Sequence, residues 1–234
     1  MNINRFKEEL LKININVTDK QLSMLEKYYE LLVFYNSKMN LTGITEKEDV
    51  YLKHFYDSAT LNKAIDLSTV GSLCDIGTGA GFPGLVIKIL FPSINVTLVD
   101  SLGKRIKFLN TVVEELNLKN INIVLARAEE YALKNREKFD VVTSRAVANL
   151  SILMEYSVPL VKINGFFIPL KANVEDEMSN INNVLNLLNV DLVKKYDFLL
   201  PYENSNRSII KFIKKSKTQN KFPRKYSDMK KKPL

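Results

Sequence analysis

The stretch Ser72-Leu73-Cys74-Asp75-Ile76-Gly77-Thr78-Gly79-Ala80-Gly81-Phe82-Pro83-Gly84 limits what this chain can fold into more than any other. An apolar strand runs directly into four glycines within eight residues, and a helix is expected from about Leu85. Glycine lets the backbone turn sharply and lets a ligand approach where a side chain would collide. The next apolar run, Asn95 to Val99, ends at Asp100. A carboxylate at that place can accept hydrogen bonds from both hydroxyls of an adenosine ribose. Strand, glycine turn, helix, strand and acid together form a nucleoside-binding signature.

The surrounding pattern fits the same architecture. Short apolar runs at Leu73–Ile76, Val96–Val99, Ile121–Leu125, Val141–Thr143 and Phe166–Leu170 recur along the chain. Amphipathic stretches such as Arg105–Leu116 separate the first four. This alternation predicts a mostly parallel sheet covered on both faces, an α/β Rossmann-like fold. Asp191–Leu199 and Ser208–Ile213 have no long helix between them, so they are expected as a hairpin-like pair that makes the last of seven strands antiparallel. Residues 1–66 read as a helical N-terminal extension, 67–216 as the main domain and 217–234 as a basic tail. Thr18-Asp19-Lys20-Gln21 and Thr45-Glu46-Lys47-Glu48 each look like a capping box ahead of a periodic helix.

Charge is distributed unevenly. Residues 201–234 carry 11 Lys and Arg against 2 Asp and Glu, more than the whole chain's net +8, so the first 200 residues are nearly neutral. A concentrated positive segment suits a polyanion, nucleic acid first; a solvated tail is the plainer alternative. One cysteine and one histidine are too few for an internal disulfide or a zinc site of usual ligand number, so no metal is expected. No apolar run approaches a membrane span and the N-terminal residues show no apolar signal core, so a cytoplasmic protein without membrane contact is expected.

Two cofactors fit the glycine block. Gly79-x-Gly81-x-x-Gly84 matches the dinucleotide fingerprint, which would make the chain a small NAD-dependent oxidoreductase. Gly77-x-Gly79-x-Gly81, directly after the strand and preceded by Asp75, matches the S-adenosylmethionine version instead. Position favours the second, because Gly77 sits at the strand end and Gly79 two residues into the loop. Pro83 also removes a backbone donor from the turn that would hold a pyrophosphate. At the fourth strand's end, Arg145 is placed to reach a cofactor carboxylate or the substrate, with pairing to a neighbouring acid as the structural alternative. His54, Asp57 and Ser58 would share one helical face, either docking the extension or lining the site.

The acceptor of a methyl group constrains the residues further. Attack by a pyrimidine C5 generally needs a cysteine adduct, and Cys74 lies inside a strand. An adenine amine usually calls for a polar-Pro-Pro-aromatic sequence, where this chain has Ser144-Arg145-Ala146-Val147. A ribose hydroxyl must lose a proton, and no obvious base set stands at the strand ends. Guanine N7 has a free lone pair and no proton to lose, so positioning and charge suffice. Residues alone leave these acceptors open, along with a non-catalytic RNA-binding module of the same fold.

Several motifs in order give a more specific likeness. Asn40-Leu41-Thr42, His54-x-x-Asp57-Ser58, Asp75 to Gly84, Val99-Asp100-Ser101-x-x-Lys104-Arg105, Ser144 to Ala148 and Phe222-Pro223-Arg224-Lys225 closely resemble the ribosomal RNA small subunit methyltransferase G family, also called glucose-inhibited division protein B. The resemblance implies a class I S-adenosylmethionine-dependent methyltransferase that methylates N7 of one guanine in bacterial 16S rRNA, acting on the small ribosomal subunit, and expected as a monomer. It implies cofactor contacts at Gly77, Phe82, Ala128, Glu129 and Arg145, joined with Asp75, Gly79, Gly81 and Asp100 from the loop argument. Lys104, Arg127, Lys171 and Arg207 match basic family positions. With Arg224, Lys225, Lys230 and Lys231 of the tail they are the expected RNA contacts. Ala172, Ser227 and Met229 depart from the family's usual pattern.

Overall fold

The computed structural model describes residues 1–145, 148–179 and 181–234. Ala146 and Val147, part of the Ser144 to Ala148 motif, lie outside the described residues. The chain opens with α1 (Ile3–Lys12) and α2 (Asp19–Met39). α2 starts as the sequence predicts: Thr18 Oγ1 accepts from Gln21 N at 3.2 Å, and Gln21 Oε1 accepts from Thr18 N at 2.9 Å. The second box does not form. α3 (Lys47–Val50) begins after Glu46, which makes no side-chain capping bond. Glu48 instead receives the amino terminus, 2.6 Å from its carbonyl oxygen. α3 runs through a π-helical turn over Tyr51–Tyr56 into α4 (Asp57–Ala59).

The sheet then alternates as expected through β1 (Ser72–Ile76), α5 (Gly84–Leu90), β2 (Asn95–Asp100), α6 (Gly103–Glu115), β3 (Ile121–Leu125), α7 (Ala128–Lys134), β4 (Phe139–Arg145), α8 (Leu150–Ser157) and β5 (Val161–Lys171). α9 (Glu175–Met178), α10 (Ile181–Leu188), β6 (Val190–Leu199), β7 (Asn206–Lys214) and α11 (Tyr226–Lys231) complete it. Strand order is β3-β2-β1-β4-β5-β7-β6. β1 to β5 pair in parallel, while β7 lies antiparallel to both β5 and β6. The expected hairpin is there, with its last strand inserted between β5 and β6.

Because successive strand residues face opposite ways, the sheet supplies two cores. Leu73, Leu98, Val141, Ile168 and Ile209 point to one face, where α5, α6 and the N-terminal helices bury Leu25, Tyr28, Leu32, Val50 and Phe55. Cys74, Val99, Val142, Phe167 and Ile210 point to the other, under α7, α8, α10 and the tail residues Phe222 and Met229. The N-terminal helices therefore share one core with the sheet. Gln21 ties the two physically, since its side-chain amide donates to the carbonyls of Ile89 and Leu90 at the end of α5. No helix among the described residues is long and apolar enough to cross a membrane.

Candidate functional site

The strand order reverses at β1, whose neighbours β2 and β4 leave in opposite directions, and ligands of such sheets bind beyond the strand ends there. A cleft of about 460 Å³ occupies that place. Its floor is the glycine loop. Gly77 and Thr78 both donate to Val99 O at 2.8 and 3.1 Å, which pins the loop to the end of β2. Thr78 O accepts from Gly81 N and Phe82 N at 2.9 and 3.0 Å, closing the turn. Gly81 is required here: its φ is +102°, and a Cβ would meet the Leu85 side chain and sit 2.7 Å from Tyr28 Oη.

Asp75 and Gly81 do not line the cleft. In this structure they hold the loop from behind. Asp75 is fully buried, and its Oδ2 accepts from Thr78 Oγ1 at 2.7 Å and Gly84 N at 2.8 Å. Burial raises its pKa to about 6; the bonds from Thr78 and Gly84 and the charge of Arg145 oppose that rise, while Asp100 adds to it. From the N-terminal side, Tyr28 Oη donates to Ala80 O at 2.5 Å.

Asp100 does stand in the cleft, with a buried carboxylate. Oδ2 accepts from Gly79 N at 2.9 Å and Arg105 at 3.1 Å, and Oδ1 from Leu102 N at 3.0 Å. Loop and acid are thus one hydrogen-bonded unit. Of a carboxylate's roughly four acceptor sites, Oδ1 keeps one spare, and the Arg105 contact can exchange for a ligand hydroxyl. Gly84 N is already bound to Asp75, Leu85 N bonds to Gly81 O, and Pro83 has no N–H. The start of α5 therefore offers little to a pyrophosphate, which counts against the dinucleotide reading.

Beyond β3, Ala126, Arg127, Ala128 and Glu129 line the cleft, with Tyr156 of α8 and Tyr226 of α11 beside them. Arg127 Nε donates to Glu129 at 2.8 Å, and its guanidinium lies 5.0 Å from the Tyr226 ring centre. The opposite wall comes from the N-terminal helices. His54 stacks on Phe82 with ring centres 4.4 Å apart, and the Arg145 guanidinium lies 5.0 Å from the Phe82 ring centre. Arg145 donates to Asp57 Oδ2 at 2.9 Å and to Lys53 O at 3.0 Å. Arg207 reaches the other Asp57 oxygen at 2.9 Å. Arg145 therefore both lines the cleft and pairs with an acid, so the two readings of it hold together. His54 likewise docks the extension and lines the site. Burial, then the charge of Arg145, lowers its pKa to about 3 against a small opposing effect of Lys53 O, so it is a neutral imidazole.

The expected RNA cations divide. Lys104, Lys225, Lys230 and Lys231 are exposed, as is Arg127, which lines the cleft. Arg207 is committed to Asp57, and Arg224 forms a two-pronged pair with the fully buried Glu155 at 2.8 and 2.6 Å. Lys171 donates to Ala148 O at 2.8 Å and Glu177 at 2.5 Å. These three lie outside the cleft lining and are structural ion pairs. Their donors are used inside the fold, which sets these three apart from the exposed cations. Leu41, Thr42, Tyr156 and Tyr226 were not singled out from sequence as site residues. Leu41 and Thr42 had a signal, in the Asn40-Leu41-Thr42 motif.

The family model for rRNA small subunit methyltransferase G, GidB, matches residues 21–201. This chain belongs to that family. Ribosomal RNA small subunit methyltransferase G of Lysinibacillus sphaericus is 50% identical over 228 residues, covering 96% of both chains. Its counterpart in Bacillus subtilis is 46% identical over 237 residues, covering 100% of this chain and 99% of the relative. Solved structures carry the same fold at low identity. An O-methyltransferase from Bacillus cereus, in complex with SAH, has a TM-score of 0.56 at 15% identity, covering 80% of this chain and 91% of that one. An rRNA methylase from Streptococcus thermophilus has a TM-score of 0.51 at 15% identity, covering 67% and 96%. The chain is a class I methyltransferase of the family, with a helical N-terminal extension.

Proposed function

We propose that the protein transfers a methyl group from S-adenosylmethionine to N7 of a guanine in 16S rRNA of the small ribosomal subunit. The observation that carries this reading is the single hydrogen-bonded unit of glycine loop and Asp100, in a chain of this family. Gly77 and Gly79 give the cofactor backbone to lie against, Asp100 takes the ribose, and Ala128 and Glu129 meet the adenine. Phe82 and Arg145 stand toward the sulfonium end. The cofactor supplies an electrophilic methyl on sulfur. A guanine N7 would take that methyl with a lone pair that carries no proton, the S–CH3 bond breaking as N–CH3 forms and S-adenosylhomocysteine leaving, so the protein's residues need to orient and not to deprotonate. The wall agrees with that requirement. His54, the histidine of the cleft, is neutral and has both ring nitrogens engaged, so it has no free lone pair for a base.

The exposed Lys104, Arg127, Lys225, Lys230 and Lys231 meet RNA phosphates, Lys104 beside its bond to Met39 O and Arg127 beside its pair with Glu129, while Lys171, Arg207 and Arg224 shape the surface from within. Labelled cofactor incubated with small subunits, followed by mapping of the label, tests the reaction. N7-methylguanine at one position of 16S rRNA supports it; label elsewhere, or none, overturns it. Calorimetric titration that shows NAD displacing the cofactor would revive the oxidoreductase reading.

A further inference from the structure

Thr42 carries a hydroxyl whose role is fixed by its neighbours. A guanidinium can only donate, so the 3.1 Å contact of Arg145 with His54 Nδ1 makes that nitrogen an acceptor. Nδ1 also stands 3.2 Å from Lys53 O, a carbonyl with two lone pairs that accepts from Arg145 at 3.0 Å, but a hydrogen on Nδ1 would face the guanidinium N–H as well. The imidazole hydrogen therefore sits on Nε2, which donates to Thr42 Oγ1 at 2.8 Å. Ile44 N donates to the same oxygen at 3.1 Å. Both lone pairs of the hydroxyl are filled, and among the described residues nothing accepts its hydrogen. Thr42 lines the cleft and is half-buried. Its backbone is held independently, since Asn36 Oδ1 accepts from Leu41 N and Thr42 N at 2.6 and 2.8 Å.

A hydroxyl in this state is a committed donor: it can bond an acceptor on a ligand and cannot accept from one. It also lies one side chain from Arg145, at the tip of β4, away from the β3 end where Ala128 and Glu129 stand. We propose that Thr42 selects the base, by donating to O6 of the target guanine; this rests on the reading of the protein as a guanine-N7 methyltransferase. The Hoogsteen edge of guanine presents N7 and O6, both acceptors, whereas adenine presents N7 beside an amino group. Against adenine, the Thr42 hydrogen would face another donor. A site built to bond one group rejects the analogue that leaves it unpaired. Thr42 is thus a specificity-determining residue, and Asp57, Arg145 and His54 are positioning residues that fix its polarity.

The test uses small subunits whose 16S rRNA carries guanine, 2-aminopurine or adenine at the mapped methylated position. 2-Aminopurine keeps N7 and lacks O6. For Thr42→Val, kcat/KM on guanine should fall about 10-fold, the worth of one neutral bond, with no change on 2-aminopurine and unaltered cofactor affinity. Thr42→Ser should restore most of the guanine rate, and discrimination against adenine should narrow in Thr42→Val. Equal losses on guanine and 2-aminopurine, or a loss that appears in cofactor Kd, would overturn the proposal. So would an active protein indifferent to Thr42→Val. If the unaltered protein made no N7-methylguanine at all, the underlying reading would fall, and this inference with it.

Discussion

The two walls of the cleft are built by different means. The glycine-loop wall comes from one continuous stretch, residues 75–102, and is held mainly by backbone donors: Gly77, Thr78 and Gly79 to the end of β2, Gly84 to Asp75. The opposite wall joins four distant segments through side chains, with Asp57 between Arg145 and Arg207, and His54 between Arg145 and Thr42. Backbone geometry tolerates most side-chain changes except an added Cβ at a glycine. A side-chain network depends on each of its members. The first wall suits a ligand common to many enzymes, and the second suits a particular substrate.

Asp57→Ala should break this contrast most severely. It strands two guanidinium groups whose side chains are only 14% and 19% exposed, around a carboxylate at 6%. Removing one partner of a buried pair costs roughly 4 kcal/mol, less where water reaches the arginines. Urea unfolding is expected to show a loss of that order. A loss below about 1 kcal/mol would mean that the second wall does not depend on its network. Gly81→Ala attacks the first wall. Placing a Cβ against Leu85 and Tyr28 at φ +102° should cost about 3 kcal/mol, overpacking and backbone strain together. Unfolding midpoints check it, and an unchanged midpoint would show that the loop yields.

How far each wall is legible in sequence follows from the same contrast. The loop can be read because its determinants are contiguous: strand, glycines and Asp100 follow one another with helical and strand periods between them. All seven strands were legible for a similar reason. The network wall was not, because Asp57 meets Arg145 and Arg207 across 88 and 150 residues of chain. Sequence showed His54 and Asp57 as a pair on one helical face without their partners. Nor did it show how the cations are engaged. Composition counts Arg207 and Arg224 as free positive charge, while the fold spends them on Asp57 and Glu155. Met229, a departure from the family pattern, is fully buried in the second core and holds the tail down. The Thr45 box failed because the backbone there enters the helix one residue later than the motif requires, with Glu46 at the N-cap.

Asp75 offers a finer test of the first wall. Its native pKa of about 6 lies above the ordinary 3.8, so the folded protein binds this proton more tightly than the unfolded chain does. That contribution to stability is fully present below about pH 4 and is lost as pH rises through 6. At 1.36 kcal/mol per pKa unit, the effect is on the order of 3 kcal/mol. Asp75→Asn removes the titration and keeps an oxygen for Thr78 and Gly84. Its stability, relative to the unaltered protein, should improve between pH 4.5 and pH 7.5. A parallel pair of pH profiles would show that Asp75 stays ionised in the fold.

The smallest expected effect concerns charge at the cleft's margin. If Lys230, Lys231 and Lys232 meet RNA phosphates, replacing all three by Gln should leave unfolding and cofactor binding unchanged, since the three are exposed. RNA affinity should fall, and the slope of log K against log salt should flatten by about 2 for three single-strand contacts. Arg224→Gln should behave in the opposite way. It abandons a buried carboxylate at Glu155, so it should lower stability and loosen Tyr226 at the cleft with little direct change in the salt slope. Should Arg224→Gln flatten the slope as much as the lysine changes do, the division between structural and RNA-facing cations would be wrong. The tail would then be one continuous RNA surface, as its composition alone suggests.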